Sequence, residues 1–280
     1  MLLHRYFGSH GLETLRDAEL KTSRISEFND PFEFAYRTVG EVTLEVARQQ
    51  TLARINSPGF YDSVLAEAPG LQNLDEARRL IKSKFLEMVG LLYANYPQLI
   101  ETLKSQREEI ADESVRLICF SRPETTVASE ILQWSHYGDK HRGMRIGFDL
   151  TPGLSEMGKL VEVKYRKDRV LLDITLEADS EPTQAAIQEA MEVKSIAWEY
   201  EGEFRLFLTL RQCTRRVVNG RDEAFISFAR SAVRTVDFGL RCPPPLVNAV
   251  TELLREEYPS VVARQARHHP DEFALDYRRL

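Results

Sequence analysis

The chain has 280 residues, 43% hydrophobic and 29% charged, the composition of a globular protein long enough to bury a sizeable core. A formal net charge of -6 argues against a generic nucleic-acid coat and leaves local basic patches open. No apolar run approaches the ~20 residues of a membrane span, the first residues lack a signal-peptide layout, and Cys119, Cys213 and Cys242 form no C-x-x-C pair. The expectation is therefore a cytoplasmic protein with neither a disulfide framework nor a cysteine zinc site.

In chain order, residues 2–7 read as a short strand carrying the polar pair His4 and Arg5. Residues 11–18 read as a short helix with Leu12 and Leu15 inward, and 20–25 as a second strand. The segment S-E-F-N-D-P-F-E follows. Asn29, Asp30 and Pro31 make it a turn, because Asx side chains bond back to the backbone and proline fixes its own φ. Phe28, Phe32 and Phe34 around that turn point to a loop pinned to the protein body. From 41 to 113 the pattern is helical. Leu74, Ala77, Ile81, Phe85, Met88 and Leu92 keep three-and-four spacing, with Asn73 and Glu76 as a reciprocal cap. Pro97 starts a further helix, charged through 106–109. We read 41–113 as a helical insertion or lid within a single α+β domain spanning 1–280, its charge runs being solvated faces.

Strands resume at 115–121, 144–148 and 160–165. Between the first two lies W-S-H-Y-G-D-K-H-R-G-M-R-I-G-F-D. Ile131, Trp134 and Tyr137 share one helical face, Gly138 terminates the helix, and His141 and Arg142 fall on a turn. Two readings fit. One is a buried aromatic helix; the other is a pocket wall whose indole and phenol keep a hydrogen-bonding tip for a ligand. Residues 183–197 read as a helix. In 198–208, strand alternation puts Trp198, Tyr200, Phe204, Leu206 and Leu208 on one face and Glu199, Glu201, Glu203 and Arg205 on the other. That acidic face is either solvated, with Arg205 as counter-ion, or the rim of a cleft holding a catalytic carboxylate of raised proton affinity, with Gly202 marking a bulge or close approach. The prolines at 243–245 lead into a helix over 246–257, and 260–263 is the last expected strand.

The chain has no G-x-G-x-x-G after a strand, no G-x-x-x-x-G-K-[ST] and no G-x-S-x-G elbow, which removes the usual support for Rossmann redox, P-loop and α/β-hydrolase chemistry. His136 and His141 are five apart, so they would not share a face as a helical zinc pair must. A metal site would have to recruit Asp139, His4, His10, His268 or His269 by folding alone, and no metal is expected.

Taken together, L-H-R-Y-F, I-S-E-F-N-D-P-F-E, I-C-F-S with the 134–149 segment, and W-E-Y-E-G-E-F-R-L resemble a widespread bacterial family of domains of unknown function, DUF2971, over almost the full chain. The order of elements also resembles the ADP-ribosyltransferase fold, in the branch whose motifs are His, Tyr and Glu. That second resemblance implies an α+β fold with a mixed or antiparallel β core and NAD as co-substrate. It further implies transfer of ADP-ribose to a protein or nucleic acid, or NAD hydrolysis, by a toxin or phage-defence effector. Carried over by residue, Arg5 or His4 would hold the nicotinamide-side ribose, Arg5 aligning best. Tyr137 or Trp134 would stack on nicotinamide, and Glu203 or Glu201 would be the catalytic glutamate. Tyr6, Ser121 and His141 complete the cofactor set, with Asn29, Asp30, Glu33 and Arg205 in the same pocket. The alternatives are a non-catalytic peptide- or nucleotide-binding module, and a metal-dependent nuclease built on Asp139, His141 and the Glu201/Glu203 pair.

Overall fold

Runs of branched and aromatic residues form the strands of an eight-stranded sheet in the computed structural model, which describes residues 1–124, 126–150, 153–176 and 180–280. Side chains at 103, 104, 106–108 and 155 are not among the described atoms, so the solvated face expected over 106–108 lies outside the described residues.

The chain opens with β1 (Leu2–Phe7), α1 (Gly11–Asp17) and β2 (Glu19–Lys21). Next come β3 (Tyr36–Val39), α2 (Leu44–Asn56), α3 (Phe60–Glu67) and α4 (Leu74–Ser114). After them follow β4 (Val115–Ser121), α5 (Val127–Tyr137), β5 (Met144–Asp149), β6 (Lys159–Glu162), β7 (Lys164–Arg166) and β8 (Val170–Asp173). Then come α6 (Glu181–Glu192), β9 (Val193–Ser195), β10 (Glu203–Thr209), β11 (Thr214–Val218) and β12 (Arg221–Ser227). The chain ends with β13 (Val233–Phe238), α7 (Pro244–Glu257), β14 (Val262–His268) and β15 (Leu275–Arg279).

The chain divides into two compact units. The first comprises Met1–Phe34, Ala111–Asp168 and Met191–Leu280. Its large sheet runs β15-β14-β13-β5-β1-β4-β10-β6 and is mixed: β13 and β14 pair in parallel across the α7 crossover, and the other neighbours are antiparallel. Leu3, Ile118, Ile146, Phe148, Leu206 and Phe238 of this sheet bury against Leu15 of α1 and Val250 and Leu254 of α7. A three-stranded sheet β11-β12-β2 and a parallel pair β7-β9 complete the unit. The observed architecture is thus mixed α+β, as expected.

The second unit comprises Ala35–Ile110 and Arg169–Ala190. It contains the helices expected over 41–113 together with the parallel pair β3-β8. Thr43 caps α2 by accepting from the Val46 N–H at 3.2 Å, and the buried Tyr96 donates to the Ile174 carbonyl at 2.6 Å. Asn73 caps α4 by accepting from the Glu76 N–H at 3.0 Å, while the Glu76 carboxylate accepts from the Gln72 N–H at 2.8 Å instead of from Asn73, so half of the expected reciprocal cap is formed. No second helix starts at Pro97; α4 runs through the proline, which gives up the hydrogen bond to the carbonyl four residues earlier.

Four other expectations are corrected. The strand expected over 20–25 stops at Lys21, and Ile25–Glu27 is a 3-10 turn. The helix expected to reach Ala197 ends at Glu192, and β9 follows. Ile196–Glu201 is a 3-10 segment rather than strand: the Ser195 hydroxyl accepts from the Ala197 N–H at 3.4 Å, and Gly202 ends the segment at φ 52, a left-handed conformation suited to glycine. Only from Glu203 does the strand alternation hold. The tail carries a hairpin, β14 and β15, where one short strand was expected. In the turn at Asn29–Pro31 the Asp30 side chain accepts from the Phe32 N–H at 2.9 Å, and Phe28 packs edge-on against Phe34 at 5.2 Å, with the Phe32 side chain 59% exposed. No helix among the described residues is long and apolar enough to cross a membrane.

Candidate functional site

Antiparallel register fixes the floor of the site. His4 on β1 faces Ser121 on β4, and Ser121 faces Glu203 on β10, so three polar side chains fall in one row across adjacent strands. Helix α5, capped by the Thr126 hydroxyl accepting from the Ser129 N–H at 3.1 Å, brings Gln133, His136 and Tyr137 over that row. The Asx turn brings Phe28 and Asn29, β9 brings Lys194, and the 3-10 segment brings Glu201. Together these residues line a cavity of about 420 Å³ that also receives Arg5, Tyr6, Ser23, Glu27, Cys119 and Phe120.

The two glutamates are buried, contrary to a solvated strand face. Lys194 donates to Glu201 Oε2 at 2.6 Å and to Glu203 Oε2 at 2.9 Å, and lies 3.6 Å from Glu33. Arg205 donates through Nε to Glu203 Oε1 at 2.8 Å, through Nη2 to Glu33, and through Nη1 to the Met191 carbonyl at 2.8 Å. Its guanidinium stands 4.9 Å from the Phe34 ring centre. The Tyr137 hydroxyl donates to Glu201 Oε1, and the Tyr165 hydroxyl accepts from the Glu203 N–H at 2.8 Å.

These contacts set the charges. Burial opposes ionisation of Glu203, yet Arg205 and Lys194 together outweigh it and hold its carboxyl at about 2. Burial raises Glu201 against the pull of Lys194, and pushes Glu33 to about 7 against Arg205 and Lys194. Lys194 goes up despite burial, because Glu203, Glu201 and Glu33 surround it, so it is an ammonium ion and not a nucleophile. Burial, reinforced by Glu203, raises the Cys119 thiol well above its usual range, which leaves it protonated and unreactive. Arg5 donates through Nη2 to the Lys21 carbonyl at 3.2 Å, while its Nη1 is enclosed without a hydrogen-bond partner among the described residues.

Of the residues singled out from the sequence, His4, Arg5, Tyr6, Asn29, Ser121, Tyr137, Glu201 and Glu203 line this one cavity. Asp30, Glu33 and Arg205 are buried but do not line it. Trp134 is corrected from stacking residue to core residue. It is wholly buried, its indole N–H donates to Tyr277 at 2.9 Å, and the Tyr6 ring meets it edge-on at 5.1 Å. His141 stacks on Trp134 at 5.9 Å and 14°, outside the cavity lining. Asp139 is likewise absent from that lining, so the nuclease set is not assembled there. Among the described residues no group of three or more His, Cys, Asp or Glu is placed to hold a metal ion.

Sequence reading missed Lys194, Gln133 and His136 as lining residues. For Lys194 a signal existed, because the glutamates at 199, 201 and 203 needed more counter-charge than Arg205 alone supplies. Gln133 also lines a second cavity of about 620 Å³, with Arg122, Glu162, Tyr165 and Tyr200 among its walls.

No curated protein and no solved structure matches the chain. The family model described as Protein of unknown function (DUF2971) matches residues 133–206, the span carrying Tyr137, Lys194, Glu201, Glu203 and Arg205, and the resemblance to that family read from the sequence is borne out there.

Proposed function

We propose that the cavity takes the nicotinamide-ribose half of NAD and breaks the bond between them, passing the ADP-ribosyl group to water or to a protein or nucleic-acid acceptor. The observation that carries this reading is the convergence of Arg5, Tyr137, Glu201 and Glu203 on one hollow from three separate parts of the chain. About 420 Å³ lies within the usual range for small-molecule sites and suits a nucleoside-sized moiety, with the remainder of the dinucleotide outside.

Arg5 Nη1, without a hydrogen-bond partner among the described residues, supplies a charge-assisted donor for a ribose or phosphate oxygen. The Tyr137 ring supplies a surface for the leaving base. As the glycosidic C–N bond breaks, its electron pair passes to the nicotinamide ring nitrogen and positive charge develops on the anomeric carbon. A carboxylate beside that carbon favours the transition state over the ground state. Glu201, held by one cation and one hydroxyl, keeps more of its field than Glu203, which is gripped by two cations. The incoming water or hydroxyl forms the new bond to the anomeric carbon, and its proton leaves through Glu201 to solvent.

Titration calorimetry with NAD, followed by assay of nicotinamide release, tests the proposal. Glu201→Gln is expected to bind NAD with near wild-type affinity and to release nicotinamide at least about 100-fold more slowly. Equal release by wild type, Glu201→Gln and Glu203→Gln would remove both glutamates from the chemistry. The double ion pairing of Glu203 also favours a second reading, a nucleotide-binding module without catalysis. That module would bind NAD and release no nicotinamide.

A further inference from the structure

We infer that Lys194 is a positioning residue, whose ammonium group clamps the carboxylates of Glu201 and Glu203 side by side and fixes Glu201 in orientation and charge at the cavity wall. The inference rests on the proposed function for its catalytic consequence only; the clamp itself can be tested without turnover. Lys194 is buried on β9; its ammonium donates to Glu201 at 2.6 Å and to Glu203 at 2.9 Å, and it lies 3.6 Å from Glu33. The Trp198 ring covers the ammonium at 5.1 Å. Both hydrogen bonds of the ammonium go to the Glu201 and Glu203 carboxylates, so its effect on Glu201 is exerted through them.

Glu201 and Glu203 flank Gly202 in the sequence, and the left-handed turn at that glycine brings both carboxylates to one ammonium. Without that ammonium, two buried carboxylates would face each other, and one would take up a proton rather than remain charged in a dry environment. Glu203 keeps Arg205, so the proton goes to Glu201, whose remaining contacts are the Tyr137 hydroxyl and the nearby Tyr200 and Glu203. The other groups facing Lys194 are Glu33, itself inclined to be neutral, and the phenol of Tyr165, and neither can replace the lost cation. Burial already raises Glu201, and loss of the lysine charge raises it further.

The test follows the carboxyl carbon of Glu201 by NMR in the full chain carrying ¹³C-labelled glutamate, with the signal assigned by its loss in Glu201→Gln. In Lys194→Met the Glu201 titration midpoint is expected to rise by at least about one pH unit, and in Lys194→Arg to stay near that of wild type. Should the methionine variant fail to fold by circular dichroism, Lys194→Gln provides the same readout with a neutral polar side chain. In nicotinamide release, kcat of the neutral variant should fall about 100-fold at pH 7 with KM changed less than about threefold, recover as pH is raised, and be restored by arginine. A Glu201 midpoint that stays within a few tenths of a pH unit on removal of the lysine charge overturns the clamp. Absence of nicotinamide release by the wild type overturns the proposed function, while the NMR readout still decides the role of Lys194.

Discussion

The indole N–H of Trp134 donates to the hydroxyl of Tyr277 at 2.9 Å, which ties helix α5 to the last strand of the chain. Tyr277 in turn donates to Glu130 at 2.6 Å. Trp134→Phe therefore opens a void in the core and leaves Tyr277 short of a donor. The expected cost is about 2 kcal/mol of stability by urea unfolding, with NAD affinity unchanged by calorimetry. A variant of wild-type stability that no longer binds NAD would return the indole to the pocket wall.

Gly138 caps α5 for a reason of space and not of backbone freedom, since its φ is -93. A Cβ there would lie 2.5 Å from the Trp134 ring and 2.9 Å from the Trp134 carbonyl oxygen. Gly138→Ala is expected to destabilise by about 1–3 kcal/mol through overpacking, where an unhindered helix end would gain from the same change. A thermal midpoint equal to or above that of wild type would contradict it.

The parts of the fold legible in the sequence are those where one local pattern decides the conformation. Val115 to Ser121, unlike the alternating stretch 198–208, is a mostly buried strand-like run, and the strand read over 115–121 has its observed bounds. From Trp198 to Glu203 the alternation misled, because Ser195 and Gly202, one capping a 3-10 segment and one adopting a left-handed φ, bend the backbone without disturbing the order of apolar and acidic residues. Lys194 was hidden for a related reason. Its neighbours continue the helical spacing of α6, and only tertiary pairing of β9 with β7 turns the lysine toward the glutamates. The final hairpin was missed because Arg264, Arg267, Arg278 and Arg279 make its strands look like solvated tail.

Arg145 on β5 stands opposite Tyr6 of β1, on the sheet face that carries His4, and donates to the Tyr6 hydroxyl at 3.3 Å. It donates to Asp237 at 3.0 and 2.8 Å, to Glu124 at 2.7 Å and to Glu130 at 3.2 Å, with the Tyr277 ring 5.1 Å from its guanidinium. Asp237 has a second partner in Arg264 at 2.6 Å, whereas Glu124 would be left with His4 and Tyr6 alone. Arg145→Met is expected to cost about 3–5 kcal/mol, seen as a lower urea midpoint at unchanged slope. A loss under 1 kcal/mol would mean that the buried pairs are reorganised rather than broken.

Two carboxyls shifted in opposite directions, Glu124 and Glu33, contribute to the dependence of stability on pH alongside Glu201 and Glu203. Burial disfavours the Glu124 carboxylate, but His4, Arg145 and Tyr6 hold it at about 2 against an ordinary 4.5. A depressed carboxyl contributes stability that is fully present above its unfolded value and is lost as pH falls toward the folded one, here between 4.5 and about 2 and on the order of 3 kcal/mol. Glu33 behaves in reverse. Burial raises it from 4.5 to about 7, so its contribution is present below 4.5 and declines as pH rises to about 7. Glu124→Gln should therefore be less stable than wild type at pH 7, with the gap closing at pH 2. Glu33→Gln should flatten the decline between pH 4.5 and 7. Urea unfolding across pH 2–8 reads both, and a Glu124→Gln gap that stays constant down to pH 2 would show that the lost contacts are not those of the charged carboxylate.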